Sequence, residues 1–242
     1  MANTILNAKQ VSKRFGALTV LDHVDFAVHE GEAIGIVGPN GAGKTTLMNV
    51  LSGTYPPNGG TVELLGADVT NMSAATRCLK GLSKTHQIPL PFLGMTVFEN
   101  VYVAATHGAA LSGDLAYELT YDSLKLCGME KIANRKAEAI GLLDRKRLEL
   151  ARALSTRPKI LLLDEIGGGL TDAEASELVD TIRELHHRGI SIVWIEHIVH
   201  VLLQVAKRLI CMASGKIIAD GDPALVMKDK AVVEAYLGRT PE

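Results

Sequence analysis

Two segments of the sequence combine residue types that together handle phosphate groups. The first, residues 38–45, reads GPNGAGKT and matches the pattern G-x-x-x-x-G-K-[ST]. Its glycines let backbone N–H groups turn inward around an anion at the positive end of the following helix. Lys44 supplies a charge to the outer phosphates, and the Thr45 hydroxyl is a ligand for Mg²⁺. The pattern therefore predicts a loop that binds the phosphates of a nucleotide.

The second segment, residues 160–165, reads ILLLDE and ends an apolar strand with two carboxylates. Asp164 would hold Mg²⁺ through water, and Glu165 would orient or polarise an attacking water. Taken alone, this segment could equally be a strand that ends in a solvated acidic turn. Beside the phosphate loop, it predicts hydrolysis of the bound nucleotide.

Short strands that alternate with helices are predicted to position both segments. Apolar or alternating runs indicate strands at 18–28, 32–37, 61–65, 159–163 and 189–195, and a hairpin at 208–219. Helical patterns follow at 44–52 and 171–187, and further helices are predicted from 198 and from Asp222-Pro223. The middle, residues 96–154, has helical periodicity, opens with Thr96-x-x-Glu99, and shows no strand pattern. We therefore expect a mostly parallel sheet interrupted by an all-helical insertion.

Composition narrows the class of protein. The chain has 242 residues, 47% of them hydrophobic, and a formal net charge of -2, so it has no global basic field for nucleic acid. The longest stretch without charge, residues 45–62, contains Pro56, Pro57 and two adjacent glycines, which argues against a membrane span. The first ten residues lack a secretory signal pattern. Three separated cysteines predict neither a disulfide framework nor a zinc site, which fits a reducing cytosol.

The combination of motifs resembles the ATP-binding cassette (ABC) family, and the likeness covers nearly the whole chain. The form GPNGAGKTT is frequent in that family. The resemblance implies that ATP and Mg²⁺ are bound by the whole loop, which consists of Gly38, Pro39, Asn40, Gly41, Ala42, Gly43, Lys44, Thr45 and Thr46.

The resemblance also implies roles for three isolated residues, each of which has a structural alternative, since a single glutamine is usually just solvated and a single histidine is usually structural. Phe15 falls where the family places the aromatic ring that stacks on adenine, although it could also be a core residue. Gln87 matches the glutamine between the nucleotide site and the helical subdomain, with a role in catalysis and as a ligand of Mg²⁺. His197 follows a buried strand, as does the family's switch histidine, and would contact the γ-phosphate. Their order around two nucleotide motifs makes a chance match improbable.

The implied fold class is α/β, with a P-loop (RecA-like) core of mostly parallel sheet, an antiparallel β subdomain and an inserted all-helical subdomain. The predicted boundaries place the core and the β subdomain in residues 1–86 and 155–242. Residues 87–154 are predicted to form the helical subdomain.

Within the family, the sequence looks most like the ATPase subunits of branched-chain amino acid (Liv-type) importers. The resembling segments are Met95–Asn100, Arg147–Arg152, Ile195–His197 and Ala235–Gly238. Related cassettes that extract lipopolysaccharide also end in a Tyr-Leu-Gly motif.

The sequence departs from the family where LSGGQ is expected, and it reads Ile140, Gly141, Leu142, Leu143, Asp144 instead. The serine that would bind the γ-phosphate is replaced by glycine, and both glycines are leucines. Asp144 puts a carboxylate where phosphate oxygens would come. Ile166 replaces the usual proline after Glu165, and Thr171 stands where an aspartate is expected.

The residues expected to bind this chain's own nucleotide thus match the family pattern. Those expected to contact a partner's nucleotide differ from it. Since cassettes of this family pair head to tail, the resemblance predicts an asymmetric heterodimer with a second ABC ATPase subunit. The alternative is that backbone N–H groups at the altered segment suffice and that both sites work.

The resulting hypothesis is an ATPase subunit of an importer for branched-chain amino acids or a related small apolar or amide-like solute. Its partners would be integral membrane permeases and, indirectly, a solute-binding protein, and it would lie peripherally at the cytoplasmic face of the membrane. The apolar loop 88–95 could form a groove for a permease or simply pack within the subdomain. Alternatives are a lipid-extracting cassette, an ABC ATPase of DNA repair or translation, and a P-loop kinase or GTPase, although no Asn-Lys-x-Asp guanine motif occurs.

Overall fold

The computed structural model describes residues 3–237 of the chain. One compact unit runs to residue 74 and resumes at residue 191, and the other covers residues 75–190. Within the described residues, no helix combines the length and apolar character needed to cross a bilayer. The segment Ala235–Gly238 named above ends at a residue outside the described range.

The strands of the first unit, numbered along the whole chain, are β1 (Thr4–Phe15), β2 (Leu18–His29), β3 (Ala33–Val37), β4 (Gly59–Leu64), β5 (Ala67–Asp68), β8 (Ser191–Ile195), β9 (Arg208–Ala213) and β10 (Lys216–Gly221). Four of them form an antiparallel sheet in the order β2-β1-β4-β5. Buried and more exposed residues alternate along much of β1 and β2, as expected for strands with one face toward the core.

The other strands of this unit centre on β3, which pairs in parallel with β8 and with β9, while β10 pairs antiparallel with β9. Every residue of β3 and β8 is buried, so their sequences are continuous apolar runs. The helices of this unit are α1 (Lys44–Ser52), α7 (Val199–Leu202), α8 (Pro223–Val226) and α9 (Lys230–Leu237). A Cβ atom at Gly35 would lie 2.2 Å from a methyl carbon of Leu202, so α7 packs directly on β3.

The second unit combines a parallel strand pair with helices. Its elements are α2 (Ala74–Leu79), which begins at the boundary, β6 (Leu82–Lys84), α3 (Val97–Gly108), α4 (Gly113–Leu126), α5 (Leu142–Leu154), β7 (Ile160–Asp164) and α6 (Asp172–His187). Short 3₁₀ turns lie at Glu130–Ile132 and Ala137–Ala139. The structure confirms both predicted capping boxes, in which Thr96 begins α3 and Thr171 begins α6.

Most predicted elements are confirmed, and one of them has the predicted bounds. The helix predicted at 44–52 is α1, and the strand predicted at 61–65 corresponds to β4, which begins two residues earlier and ends one residue earlier. The predicted hairpin is formed by β9 and β10. The elements that sequence patterns did not predict are β1, β5, β6, α2 and α9.

Candidate nucleotide site

The predicted phosphate loop connects β3 to α1 in the first unit. Gly43 is the N-cap of α1 with a φ of 101°, a left-handed conformation that favours glycine. A Cβ atom at Gly38 would lie 2.1 Å from the main-chain oxygen of Met212, so only glycine fits there. The helix behind the loop is anchored because Leu47, Met48 and other residues on its inner face are fully buried. The loop therefore has the backbone conformations that the sequence pattern requires.

Lys44 is the charged residue of this loop and is only 6% exposed. Its ammonium group donates to the main-chain oxygens of Gly38, at 2.7 Å, and Pro39, at 3.0 Å. No side chain caps α1, and its first turn carries no acidic residue. The positive end of the helix and the adjacent ammonium group together make this loop suited to bind an anion.

Two further predicted residues lie in the same unit. Phe15 ends β1 and is 45% exposed, which leaves ring surface open for stacking. His197 is exposed and lies two residues after the end of β8. The Trp194 indole donates to the Glu196 carboxylate at 3.3 Å and so helps to hold the chain just before His197.

The carboxylates of the second predicted segment lie in the second unit, at the end of β7. Asp164 is 1% exposed, and the Lys84 ammonium group lies 3.4 Å from its carboxylate. Burial lowers the pKa of Lys84, and the charge of Asp164 partly opposes that shift. Lys84 ends β6, which pairs in parallel with β7, so neighbouring strand ends bring the two charges together. Sequence patterns did not identify Lys84 as part of the site.

Glu165 is in contact with the predicted glutamine. The side-chain amide of Gln87 donates a hydrogen bond to the Glu165 carboxylate, and Glu165 itself has a φ of 49°. Lys146 of α5, which is 3% exposed, donates to the main-chain oxygens of both residues, at 2.9 Å to Gln87 and 3.2 Å to Glu165. This second lysine therefore joins α5 to the two chain segments that carry Gln87 and Glu165.

Glu149, one turn further along α5, holds the loop that follows Gln87. Its buried carboxylate accepts from the Leu90 backbone N–H at 3.1 Å and from Arg152 at 3.2 Å, and it lies 3.3 Å from His86. Burial acts to raise the pKa of Glu149, but these partners together keep that pKa below its ordinary value. The loop is thus attached to α5 by contacts with a carboxylate that stays ionised at neutral pH.

The segment that replaces LSGGQ begins α5. Ile140 is buried, Gly141 is the N-cap, and Leu142 is 46% exposed. The Asp144 carboxylate lies in the first turn, 3.8 Å from Arg147, which also pairs with Glu177. The helix end therefore presents leucine side chains and its own carboxylate.

The oxygen donors among the predicted residues fit Mg²⁺, which prefers oxygen ligands. They are the Thr45 hydroxyl in the first unit, and the Asp164 carboxylate and the Gln87 amide oxygen in the second. The described residues contain no cluster of three or more histidine, cysteine or acidic side chains that would suggest a separate metal centre.

Two family models and several known proteins match this chain. A family model described as ABC transporter matches residues 21–167, and one described as branched-chain amino acid ATP-binding cassette transporter matches residues 216–241. A high-affinity branched-chain amino acid transport ATP-binding protein of Pseudomonas aeruginosa is 32% identical over 98% of this chain and 99% of its own length. A lipopolysaccharide export system ATP-binding protein of Haemophilus influenzae is 31% identical over 97% of this chain and 98% of its own.

A solved structure, the ADP conformation of an ATP-binding cassette of an ABC transporter, is also similar. It is 31% identical, with a TM-score of 0.85, over 98% of this chain and 99% of that one. Agreement to this degree over nearly the full length of both chains confirms the predicted α/β fold class.

Proposed function

Because the chain belongs to the ATP-binding cassette (ABC) transporter family, we propose that it hydrolyses ATP to drive an importer of branched-chain amino acids or a related small apolar solute. The observation that carries the hydrolytic part is the contact of Glu165 with Gln87 at the end of a buried strand. The match of residues 216–241 to the branched-chain amino acid cassette model supports the substrate class.

In the proposed mechanism, the phosphate loop binds the triphosphate of ATP. Backbone N–H groups of residues 40–46 and the ammonium group of Lys44 surround the phosphates, and Lys44 exchanges its two loop carbonyls for phosphate oxygens. Thr45, Asp164 and Gln87 would hold Mg²⁺, which neutralises charge on the phosphate oxygens. Phe15 stacks on adenine, and His197 contacts the γ-phosphate.

Glu165 is the proposed group that orients the attacking water. A water that displaces the Gln87 amide from Glu165 would keep that carboxylate hydrogen-bonded and acquire a fixed direction of attack. Catalysis then consists of positioning and charge neutralisation, with no covalent intermediate on the protein.

The proposed assembly contains partners. Residues 87–154 are proposed as the helical subdomain, which includes α3, α4 and α5, and the exposed side chains of Ile88, Leu90 and Phe92 support a contact with membrane permease subunits. Such an assembly places the chain peripherally at the cytoplasmic face of the membrane, with a solute-binding protein on the other side. The near-neutral charge of the chain speaks against nucleic acid as a partner.

The second cassette of this assembly is proposed to be a different chain. At the start of α5, Gly141 lacks the hydroxyl group and Leu142 replaces the glycine backbone that a partner's phosphates would need, and Asp144 adds a carboxylate close by. One ATP site would then join this phosphate loop to the partner's intact signature and hydrolyse ATP. The other site would turn over poorly.

A lipid-extracting cassette is the alternative favoured by a specific observation, the 31% identity to the lipopolysaccharide export protein. Transport distinguishes the two functions. The complex that co-purifies with a tagged chain from detergent-solubilised host membranes is reconstituted in liposomes with its binding protein and ATP on the side of the cassettes. We expect ATP-dependent uptake of labelled leucine, isoleucine or valine, and none with Lys44→Ala. Uptake of none of them, together with release of lipopolysaccharide from the liposomes, would favour the alternative.

A further inference from the structure

Two aromatic rings and a lysine form a cluster at the end of β1, in the first unit. The rings of Phe15 and Tyr55 meet edge to face, with centroids 5.4 Å apart and planes at 80°. The Lys13 ammonium group lies 5.2 Å from the centroid of Phe15 and 5.7 Å from that of Tyr55. Both distances are within the range in which a cation is attracted to the face of an aromatic ring. One cation therefore interacts with both rings.

The lysine is held in this place by the turn that carries the second ring. Lys13 is only 8% exposed, and its ammonium group donates to the main-chain oxygen of Pro56 at 2.7 Å. Because Pro56 directly follows Tyr55, this hydrogen bond ties the turn to β1. A lysine buried to this degree needs such partners, since its charge is costly to remove from water.

Two further hydrogen bonds join the same turn to β1. The Arg14 N–H donates to the Asn58 side chain at 2.7 Å, and the Asn58 N–H donates to the Ser12 main-chain oxygen at 2.8 Å. The three residues before Phe15 are therefore joined to the turn just after Tyr55.

Simple core packing does not account for this cluster. Phe15 remains 45% exposed and Tyr55 37% exposed, although both rings are large and apolar. A ring that is held firmly yet left open to solvent is suited to stack on another flat group. Restricting such a ring before binding lowers the entropy lost when the ligand arrives.

We propose that Tyr55 and Lys13 are positioning residues that hold the Phe15 ring as a rigid platform for the base of ATP. This inference rests on the proposed function, because that function assigns Phe15 to adenine. Tyr55 supports the ring from its edge, and Lys13 supports both rings while linking them to the backbone of the turn. The phosphate loop binds the other end of the nucleotide through separate groups.

Isothermal titration calorimetry with the full chain tests this role, using Mg-ATP and Mg-tripolyphosphate as the two ligands. Tyr55→Ala is expected to weaken ATP binding by about threefold to tenfold, a part of the loss expected on removing a base-stacking ring itself. Binding of tripolyphosphate, which has no base, is expected to stay within about twofold. Tyr55→Phe should retain near wild-type affinity for ATP. The affinity of Lys13→Met for ATP should lie between those of Tyr55→Ala and Tyr55→Phe.

The matched control is Tyr121→Ala, which removes a tyrosine of similar exposure, 48%, from α4 in the other unit. It should change neither affinity. Wild-type affinity for ATP in Tyr55→Ala would overturn the inference, as would an equal loss of ATP and tripolyphosphate binding, which would indicate a general effect on the fold. Failure of the wild-type chain itself to bind ATP would instead contradict the proposed function.

Discussion

At the scale of single residues, the groups that would act on ATP are held by internal partners. Lys44 donates to two carbonyls of its own loop, and the Gln87 amide donates to Glu165. These contacts satisfy the ammonium group of buried Lys44 and the carboxylate of half-buried Glu165, whose desolvation would otherwise be unfavourable. Each can be exchanged for a ligand oxygen without leaving a charge unpaired. This arrangement is thus suited to accept phosphate and water.

The first prediction concerns the proposed water-orienting residue. Glu165→Gln removes the negative charge and keeps the size of the side chain, so ATP binding is expected to persist while the hydrolysis rate falls by about 100-fold or more. Single-turnover hydrolysis and retention of bound ATP, both in the reconstituted transporter, measure the two effects.

The control for that variant is Glu118→Gln on the exposed face of α4, which should hydrolyse ATP normally. Unchanged turnover in Glu165→Gln would remove Glu165 from the mechanism.

At the scale of elements, α5 connects several parts of the second unit. Its N-terminus is the altered signature, Lys146 in its second turn holds the main chains of Gln87 and Glu165, and Glu149 holds the loop at Leu90. A displacement of this helix would therefore move the segments that carry Gln87 and Glu165, to which a catalytic role is proposed. Hydrogen bonds from a buried ammonium group to carbonyls are strong enough to transmit such a shift.

The second prediction follows from this connection. Lys146→Met is expected to lower kcat for ATP hydrolysis by about tenfold or more, because small misplacements of reacting groups are costly. KM for ATP is expected to change by less than about twofold, since the phosphate loop lies in the other unit and keeps its own contacts. Lys146→Arg, which retains the charge, should recover part of the rate.

Lys125→Met in α4 serves as the comparison, because Lys125 is exposed. Equal effects of the two methionine variants, or a change in KM alone, would rule out a positioning role for Lys146.

Across the whole molecule, the residues proposed to bind this chain's own nucleotide match the family pattern, whereas those proposed to contact a partner's nucleotide differ from it. The residues proposed to bind this chain's own nucleotide are present in both units. The start of α5, in contrast, carries Leu142, Leu143 and Asp144 in place of glycines and glutamine. A carboxylate at a helix N-terminus is favourable for the helix but competes with phosphate for the same positive end. This distribution favours a dimer of two different cassettes, in which one ATP site hydrolyses ATP and the other turns over poorly.

The third prediction tests whether the partner cassette is a different chain. The purified chain alone is expected to hydrolyse ATP far more slowly than the intact transporter. Restoring LSGGQ by Ile140→Leu, Gly141→Ser, Leu142→Gly, Leu143→Gly and Asp144→Gln should raise the ATPase rate of the isolated chain and promote an ATP-dependent homodimer in size-exclusion chromatography.

A matched change at another exposed apolar position, Leu115→Gly, should have neither effect. A wild-type chain that forms a homodimer and hydrolyses ATP at the full transporter rate would contradict the heterodimer.

Features that depend on a few neighbouring residues could be predicted from the amino-acid sequence alone. The phosphate loop, both capping boxes and the buried strands β3, β7 and β8 were predictable because their glycines, caps and apolar runs act over a few neighbouring residues. Long β1 was not predicted, because lysines and an arginine interrupt its apolar pattern and irregularities break its register with β2. Contacts between groups that are distant in sequence are visible only in the folded chain. They include Lys84 with Asp164, Lys146 with Glu165, and Tyr55 with Phe15. Such pairs lie 19 to 80 residues apart, so no local pattern encodes them, and they depend on the folded chain to bring their charges and rings within contact.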